Sequence, residues 1–238
     1  MAGSSHGAPA ARAAHRTTVR LLGIRLREQG THDSFCAYYA AAMLLCALRP
    51  EFDDEFDATH VKRDPLFRNL PRRGKSLDRA VADWLTAGVH FGPLARALGI
   101  ACGARTRFRA MRAPFSSKTL RQLRQGVDRG LPAVLGWESR ELGNHTVLVV
   151  GYERYAREGS QRWLRVLDPT GKLDILDWAQ LPRVTTAPAD IIVCTQHDGV
   201  RPDRMTIERD NDDEITASRV ERWSPPKDAW DLLVSRKT

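Results

Sequence analysis

The sequence predicts an α+β fold, in which an N-terminal helical half packs against a C-terminal half of antiparallel strands. Two observations predict it. Apolar residues at helical spacing come first, in segments between residues 34 and 128, and short apolar runs typical of strands follow between residues 131 and 195. Strands and helices do not alternate along the chain, which favours an α+β order over a parallel α/β sheet.

Composition divides the chain of 238 residues into one folded domain and two polar ends. Residues 1–17 are small, polar and Arg-rich, and we expect them to form a disordered leader. Residues 198–238 are rich in Asp and Arg, and we expect a polar C-terminal extension there. The folded domain is therefore expected to span residues 18–197, which is long enough to bury one core.

The first helix is predicted over residues 34–48, where Phe35, Tyr39 and Met43 recur at intervals of four. Asp33 or Ser34 can cap its N-terminus. Residues 49–75 are charged and contain three prolines, which indicates a long surface loop. Further helices are predicted over 76–88, 92–98 and 116–128, and strands over 18–27, 100–108, 131–137, 145–152, 163–167, 173–176 and 191–195.

Charge and composition exclude several classes of function. The net charge is +8, but arginines are scattered among acidic residues without a basic stripe, so nucleic-acid binding is not favoured. No run of about 18 apolar residues predicts a membrane span, and no signal-peptide core is present, which indicates a cytoplasmic protein or export by another route. The cysteines form no CxxC pair, and the fragment from Gly74 to Ser76 lacks the rest of a phosphate loop, so neither metal nor cofactor is expected.

Cys36 is the candidate nucleophile among the four cysteines. It lies in the first turn of the predicted helix 34–48, where unpaired N–H groups and the helix dipole lower a thiol pKa. Cys46 lies near the other end of that helix, and Cys102 and Cys194 fall in predicted strands.

His145 and Asp168 are the candidate partners of Cys36. His145 begins an apolar strand, and Asp168 closes the next one, so pairing of the two strands as a hairpin brings them together. A turn centred on residues 156–157 places His145 opposite Asp168, and a turn one residue later offsets them by two. Asp168 can then orient the imidazole that activates the thiol. The Cys36 N–H and the side-chain amide of Gln29 are candidate oxyanion donors.

These motifs resemble the papain-like cysteine peptidases, most closely the double-glycine-type branch of bacterial (bacteriocin) leader-processing domains. That branch has a Gln, an Asp-containing turn and a Cys that opens an Ala-rich helix, here Gln29, Asp33 and CAYYAAAMLL from Cys36. A His with an apolar strand follows, here HTVLVVGY from His145, and then Asp-Pro at Asp168. The interval from Gln to Cys is one residue longer here, and Phe-Cys-Ala replaces Asp-Cys-Gly, so His32 or Asn144 are alternative oxyanion donors.

The resemblance implies a papain-like fold over about residues 25–195 and a cysteine hydrolase that cleaves a peptide or isopeptide bond. In this mechanism His145 holds the Cys36 thiolate as an ion pair. Two alternatives keep the same fold: an acyltransferase or glutamine deamidase, and a catalytically silent binding module. A peptide or protein is the expected substrate, and segments 49–75 and 198–238 are possible sites for a protein partner.

Overall fold

The protein is described from a computed structural model. The structure describes residues 16–27, 35–53, 64–72, 74–76, 79–80, 89–139, 143–155, 163–171 and 175–209. The helices are α1 (Cys36–Leu48), α2 (Pro65–Asn69), α3 (Phe91–Cys102), α4 (Ser117–Asp128) and α5 (Leu181–Val184), with a 3₁₀ turn over Pro50–Phe52. The strands are β1 (Arg16–Leu21), β2 (Thr106–Ala113), β3 (Ala133–Ser139), β4 (Gly143–Tyr155), β5 (Trp163–Leu167), β6 (Ile175–Asp177), β7 (Ala189–His197) and β8 (Arg204–Arg209).

The strands form one antiparallel sheet around β4. The main order is β2-β7-β3-β4-β1-β8, and β5 pairs with β4 and β6 outside that path. The long strand β4 is hydrogen-bonded to β3 over its first half and to β1 over its second half. Gly151 allows β1 to come close, because a Cβ atom there would lie 2.4 Å from the Val19 carbonyl oxygen. The strand that begins with the candidate base is therefore anchored on several sides.

The core lies on both faces of this sheet. On one face, α1 packs with α2, α3 and sheet residues such as Leu148 and Ile192. On the other face, α4 packs with residues such as Val147 and Ile191. The alternation of Val147 and Leu148 between the two clusters follows the period of two along a strand. The predicted α+β class is confirmed, and the helices cover both faces of the sheet.

The helix α1 is buried along its whole length, as all thirteen of its residues are buried. Its alanines and leucines are strong helix formers, and the small alanines let it approach neighbouring elements closely. It ends before Pro50, which cannot continue a helix. Its N-cap is Phe35, which makes no side-chain cap, while Asp33 and Ser34 lie outside the described residues.

Several predicted boundaries differ from the structure. The prediction of a strand over 100–108 is wrong at its start, because α3 continues to Cys102. Gly103 then ends the helix with a φ of 84°. The expected end of the domain at residue 197 also differs, since β8 pairs with β1 along its whole length. The first strand begins at Arg16, inside the expected leader, and ends at Leu21.

Other expectations agree with the structure or lie partly outside it. The helix predicted over 116–128 is α4, with Ser116 as its N-cap. The segment 49–75 contains α2 and the 3₁₀ turn where the structure describes it. Ser76 accepts a hydrogen bond from the Arg79 N–H at the start of the helix predicted over 76–88, and most of that helix lies outside the described residues. No helix in the described part of the chain is long and apolar enough to cross a membrane.

A buried carboxyl connects α2 to α1. Asp64 caps α2 by accepting hydrogen bonds from the Leu66 and Phe67 N–H groups at 2.8 and 2.9 Å. Its second oxygen accepts a hydrogen bond from the Tyr38 hydroxyl of α1. Burial raises the pKa of Asp64 to about 6, although the hydrogen bonds and the nearby Arg27 favour the carboxylate.

The substitution Asp64→Asn should remove a specific pH dependence of stability. The native carboxyl holds its proton more tightly than an unfolded Asp, so its contribution to stability is complete below about pH 4. That contribution is lost as the pH rises through about 6. From pH 4 to pH 7, the free energy of unfolding of the wild type should therefore fall, relative to the variant, by on the order of 2 kcal/mol.

Urea unfolding of both proteins across this pH range measures the difference. Asn is itself a good N-cap, and its amide can donate to the Tyr38 oxygen, so the variant should fold. Other groups titrate equally in both proteins and cancel in the comparison. Parallel stability profiles for the two proteins would contradict the role of Asp64.

Candidate active site

Cys36 is the first residue of α1 and lies at the wall of a cleft. The first helical hydrogen bond runs from the Tyr39 N–H to the Phe35 carbonyl, so the Cys36 N–H precedes the helical ladder. The cleft has a volume of about 580 Å³ and is lined by Cys36, His145, Asn144 and Thr146, with Trp137 and Phe91 on neighbouring elements. The structure thus brings the predicted nucleophile and the predicted base to one cleft.

His145 is fixed by a buried carboxylate. Its Nε2 atom lies 2.9 Å from Oδ2 of Asp168, whose side chain is 3% exposed. The other carboxylate oxygen accepts hydrogen bonds from the N–H and the hydroxyl of Thr170, both at 2.8 Å. With a carboxylate as acceptor, Nε2 carries the proton and Nδ1 keeps a lone pair.

The electrostatics of Asp168 favour the carboxylate. Burial raises the pKa of this group, but the hydrogen bond and charge of His145, together with the hydrogen bonds from Thr170, lower it below its usual value. Asp168 therefore stays ionised at neutral pH. An ionised acceptor holds the imidazole in one tautomer.

The register of β4 and β5 explains how His145 reaches Asp168. Leu148 pairs with Leu167, so Asp168 continues the ladder opposite Val147 and lies two residues out of register with His145. This is one of the two offsets expected from the hairpin. Diagonal neighbours in an antiparallel pair remain within reach of a ring and a carboxylate.

An aromatic ring flanks the imidazole. Trp137 of β3 pairs with His145 of β4 in the sheet register. The two rings meet edge to face, with centroids 5.0 Å apart and an angle of 74°. Together with Asp168, this contact restricts rotation of the His145 ring.

The ionisation of Cys36 differs from expectation. Burial raises the pKa of the thiol, while hydrogen bonds from the Thr146 side chain and from the Ala37 and Thr146 N–H groups lower it only in part. The Asp168 carboxylate also raises it. The decrease in thiol pKa expected from the helix N-terminus is therefore smaller than the increase caused by burial, and the resting thiol is protonated.

The other three cysteines lie outside this cleft. Burial also raises the pKa of Cys102 to about 12 and that of Cys194 to about 11. Cys102 lies at the end of α3, which corrects its predicted place in a strand, and Cys194 lies in β7 as expected. Cys46 contacts the guanidinium of Arg27 at the far end of α1. Position in the cleft, and not the pKa, distinguishes Cys36.

The expected oxyanion donors are only partly described. Gln29 and His32 lie outside the described residues. Asn144 lines the cleft, but its contact with Cys36 is through the carbonyl oxygen, which lies 3.9 Å from Sγ and accepts from the thiol. A carbonyl cannot stabilise an oxyanion, so this contact does not support Asn144 in that role. The Cys36 N–H remains a predicted donor.

Thr146 and Thr170 are site residues that the sequence interpretation missed. Each follows a predicted residue closely, as Thr146 is next to His145 and Thr170 is two residues after Asp168. The Asp-Pro-Thr-Gly sequence did carry a signal for Thr170, because Asp side chains often accept from the backbone two residues on. Within the described part of the chain, no cluster of His, Cys, Asp and Glu could hold a metal ion.

Comparison with known proteins gives little beyond this geometry. No family model and no curated protein matches the chain. Among solved structures, it is similar to a chain from Bacillus anthracis that carries the name C39-like peptidase, at 17% sequence identity and a TM-score of 0.30. The match covers 47% of this chain and 62% of the other, so this chain spans less than two thirds of that protein. A superposition this loose supports no inference about activity.

The raised pKa of Cys36 predicts a protonated thiol at neutral pH. We expect the difference in absorbance at about 240 nm between wild type and Cys36→Ser to stay near zero at pH 7. Because the pKa is raised, the thiolate signal should develop only above the pH at which an ordinary thiol ionises, about 8.5. A full thiolate signal at neutral pH would instead show a preformed ion pair between Cys36 and His145.

Proposed function

We propose that this protein is a cysteine hydrolase that cleaves a peptide or isopeptide bond in a peptide or protein substrate. One observation carries the proposal: Cys36 and His145 line one cleft, and a buried, ionised Asp168 holds the distal nitrogen of His145 at 2.9 Å. Nucleophile, base and orienting acid in this order are the parts that acyl transfer to a thiol requires.

The proposed reaction begins with a protonated thiol. His145 Nδ1, the nitrogen that does not face Asp168, takes the proton of Cys36 as Sγ attacks the substrate carbonyl carbon. The imidazolium that forms is stabilised by the Asp168 carboxylate. His145 then gives this proton to the leaving amine as the C–N bond breaks, which leaves a thioester on Cys36.

Water completes the cycle. His145 removes a proton from a water molecule that attacks the thioester, the C–S bond breaks to release a carboxylic acid, and His145 returns the proton to Cys36 Sγ. The Cys36 N–H at the start of α1 is the proposed first donor to the oxyanion in both halves, and Gln29 is the proposed second donor. Each step uses only groups of this chain, the substrate and water.

The cleft is large enough for a short peptide segment. A volume of about 580 Å³ accommodates several side chains of a peptide. Its walls combine apolar groups such as Val89 and Met111 with a polar rim that includes the ion pair between Arg112 and Asp190, at 3.2 Å. These walls offer both apolar and polar contacts to a peptide segment.

The substitution Cys36→Ala should abolish labelling by a thiol-reactive acyl probe and reduce hydrolysis to background, because it removes the atom that carries the acyl group. The matched control is Cys46→Ala, which removes a buried thiol of the same helix outside the cleft. Intact-mass measurement after incubation with the probe gives the result. Equal labelling of Cys36→Ala and wild type, with both proteins folded, would contradict the proposal.

Product analysis identifies the reaction. Wild type and Cys36→Ala are incubated with the same proteome, and peptides that differ between the two samples are sequenced by mass spectrometry. New termini that require Cys36 support hydrolysis. Acyl adducts on amines would indicate transfer, and a gain of about 1 Da at glutamine would indicate deamidation, and either would replace the proposed reaction.

A further inference from the structure

We propose that Thr146 is a further residue of the reactive centre, whose hydroxyl donates a hydrogen bond to Cys36 Sγ when the thiol loses its proton. This deepens the proposed function, since it concerns how the same nucleophile is ionised. Thr146 lines the same cleft as Cys36 and is 3% exposed, so its hydroxyl faces the site without competition from bulk water.

The placement of Thr146 follows from the sheet. It follows His145 directly in β4. Leu148, two residues further along the same strand, packs in the core cluster that contains α1. Residues two apart face the same side of a strand, so the Thr146 side chain faces α1, where Cys36 begins the helix. The Thr146 hydroxyl and Cys36 therefore lie on the same side of the sheet, at the start of β4.

Space for this hydroxyl depends on Gly136 of the neighbouring strand. Gly136 pairs with Thr146 in the register of β3 and β4. A Cβ atom at residue 136 would lie 3.1 Å from Thr146 Oγ1 and 2.6 Å from Cζ of Phe91. The absence of a side chain lets the Phe91 ring and the Thr146 hydroxyl share the floor of the cleft.

The hydrogen bonds around Sγ differ between the two states of Cys36. The protonated thiol can donate to the Asn144 carbonyl, 3.9 Å away. That carbonyl has no proton to offer a thiolate. The Thr146 hydroxyl and the Ala37 and Thr146 N–H groups are donors, and their hydrogen bonds oppose the rise in pKa that burial causes. Thr146 thus supplies the side-chain donor that favours removal of the proton by His145.

The substitution Thr146→Val removes the hydroxyl and keeps the branched shape. If the thiolate fraction falls about tenfold, the remaining thiolate is about threefold more nucleophilic, since nucleophilicity rises with thiol pKa. The rate of Cys36 alkylation by iodoacetamide should therefore be about threefold lower at every pH below the midpoint, and the midpoint should move to higher pH. Peptide mapping assigns the label to Cys36.

Matched variants separate this role from packing. Thr146→Ser keeps the hydroxyl and should retain the wild-type alkylation profile, while Thr146→Ala removes the hydroxyl without a new methyl group and should behave like Thr146→Val. Thr18→Val makes the same chemical change at a buried β1 threonine whose hydroxyl has no partner among the described residues, and should leave alkylation unchanged. A purely structural Thr146 would change the melting temperature but not the pH profile.

Superimposable alkylation profiles for wild type, Thr146→Val and Thr146→Ala would overturn the inference. The measurement reads the thiol itself and needs no substrate. A shifted profile in a protein that hydrolyses nothing would therefore overturn the proposed function and leave the role of Thr146 standing. Hydrolysis together with unchanged alkylation profiles would support the proposed function and overturn the role of Thr146.

Discussion

Burial of α1 is the constraint on which the rest of the site depends. The helix has no exposed face, so its direction and depth are set by contacts with α2, α3 and the sheet. A helix held in this way cannot shift its first residue without disturbing the whole core. Cys36 is consequently placed against the start of β4, where His145 and Thr146 lie.

The same burial determines the chemistry of the thiol. Removing Cys36 from solvent disfavours the thiolate more strongly than the nearby donors favour it. The proposed nucleophile is therefore protonated at rest, and the proposed reaction needs a base at the moment of attack. The hydrogen bond from His145 to an ionised Asp168 suits the proposed base, because it fixes the tautomer and would stabilise an imidazolium.

Rigid elements hold each member of this arrangement. His145 lies on β4, which is paired with β3, and its ring meets Trp137. Asp168 follows β5 directly, and both of its oxygens accept hydrogen bonds. Side chains on strands and helices keep their geometry better than side chains on loops, so the proposed site would need little reorganisation to bind a substrate.

The sequence by itself determined the α+β class, the helix that begins near Cys36 and the nearness of His145 to Asp168. Each follows from local patterns, namely apolar periodicity and the register arithmetic of two strands joined by a short connection. Only the tertiary structure decided the hairpin offset, the contribution of β8 to the sheet, the donor at Thr146 and the protonated state of Cys36. The Asn144 carbonyl oxygen is in contact with Cys36 Sγ, although the two residues are 108 positions apart in the chain. Burial and hydrogen bonding of a thiol depend on such distant contacts, which no local pattern encodes.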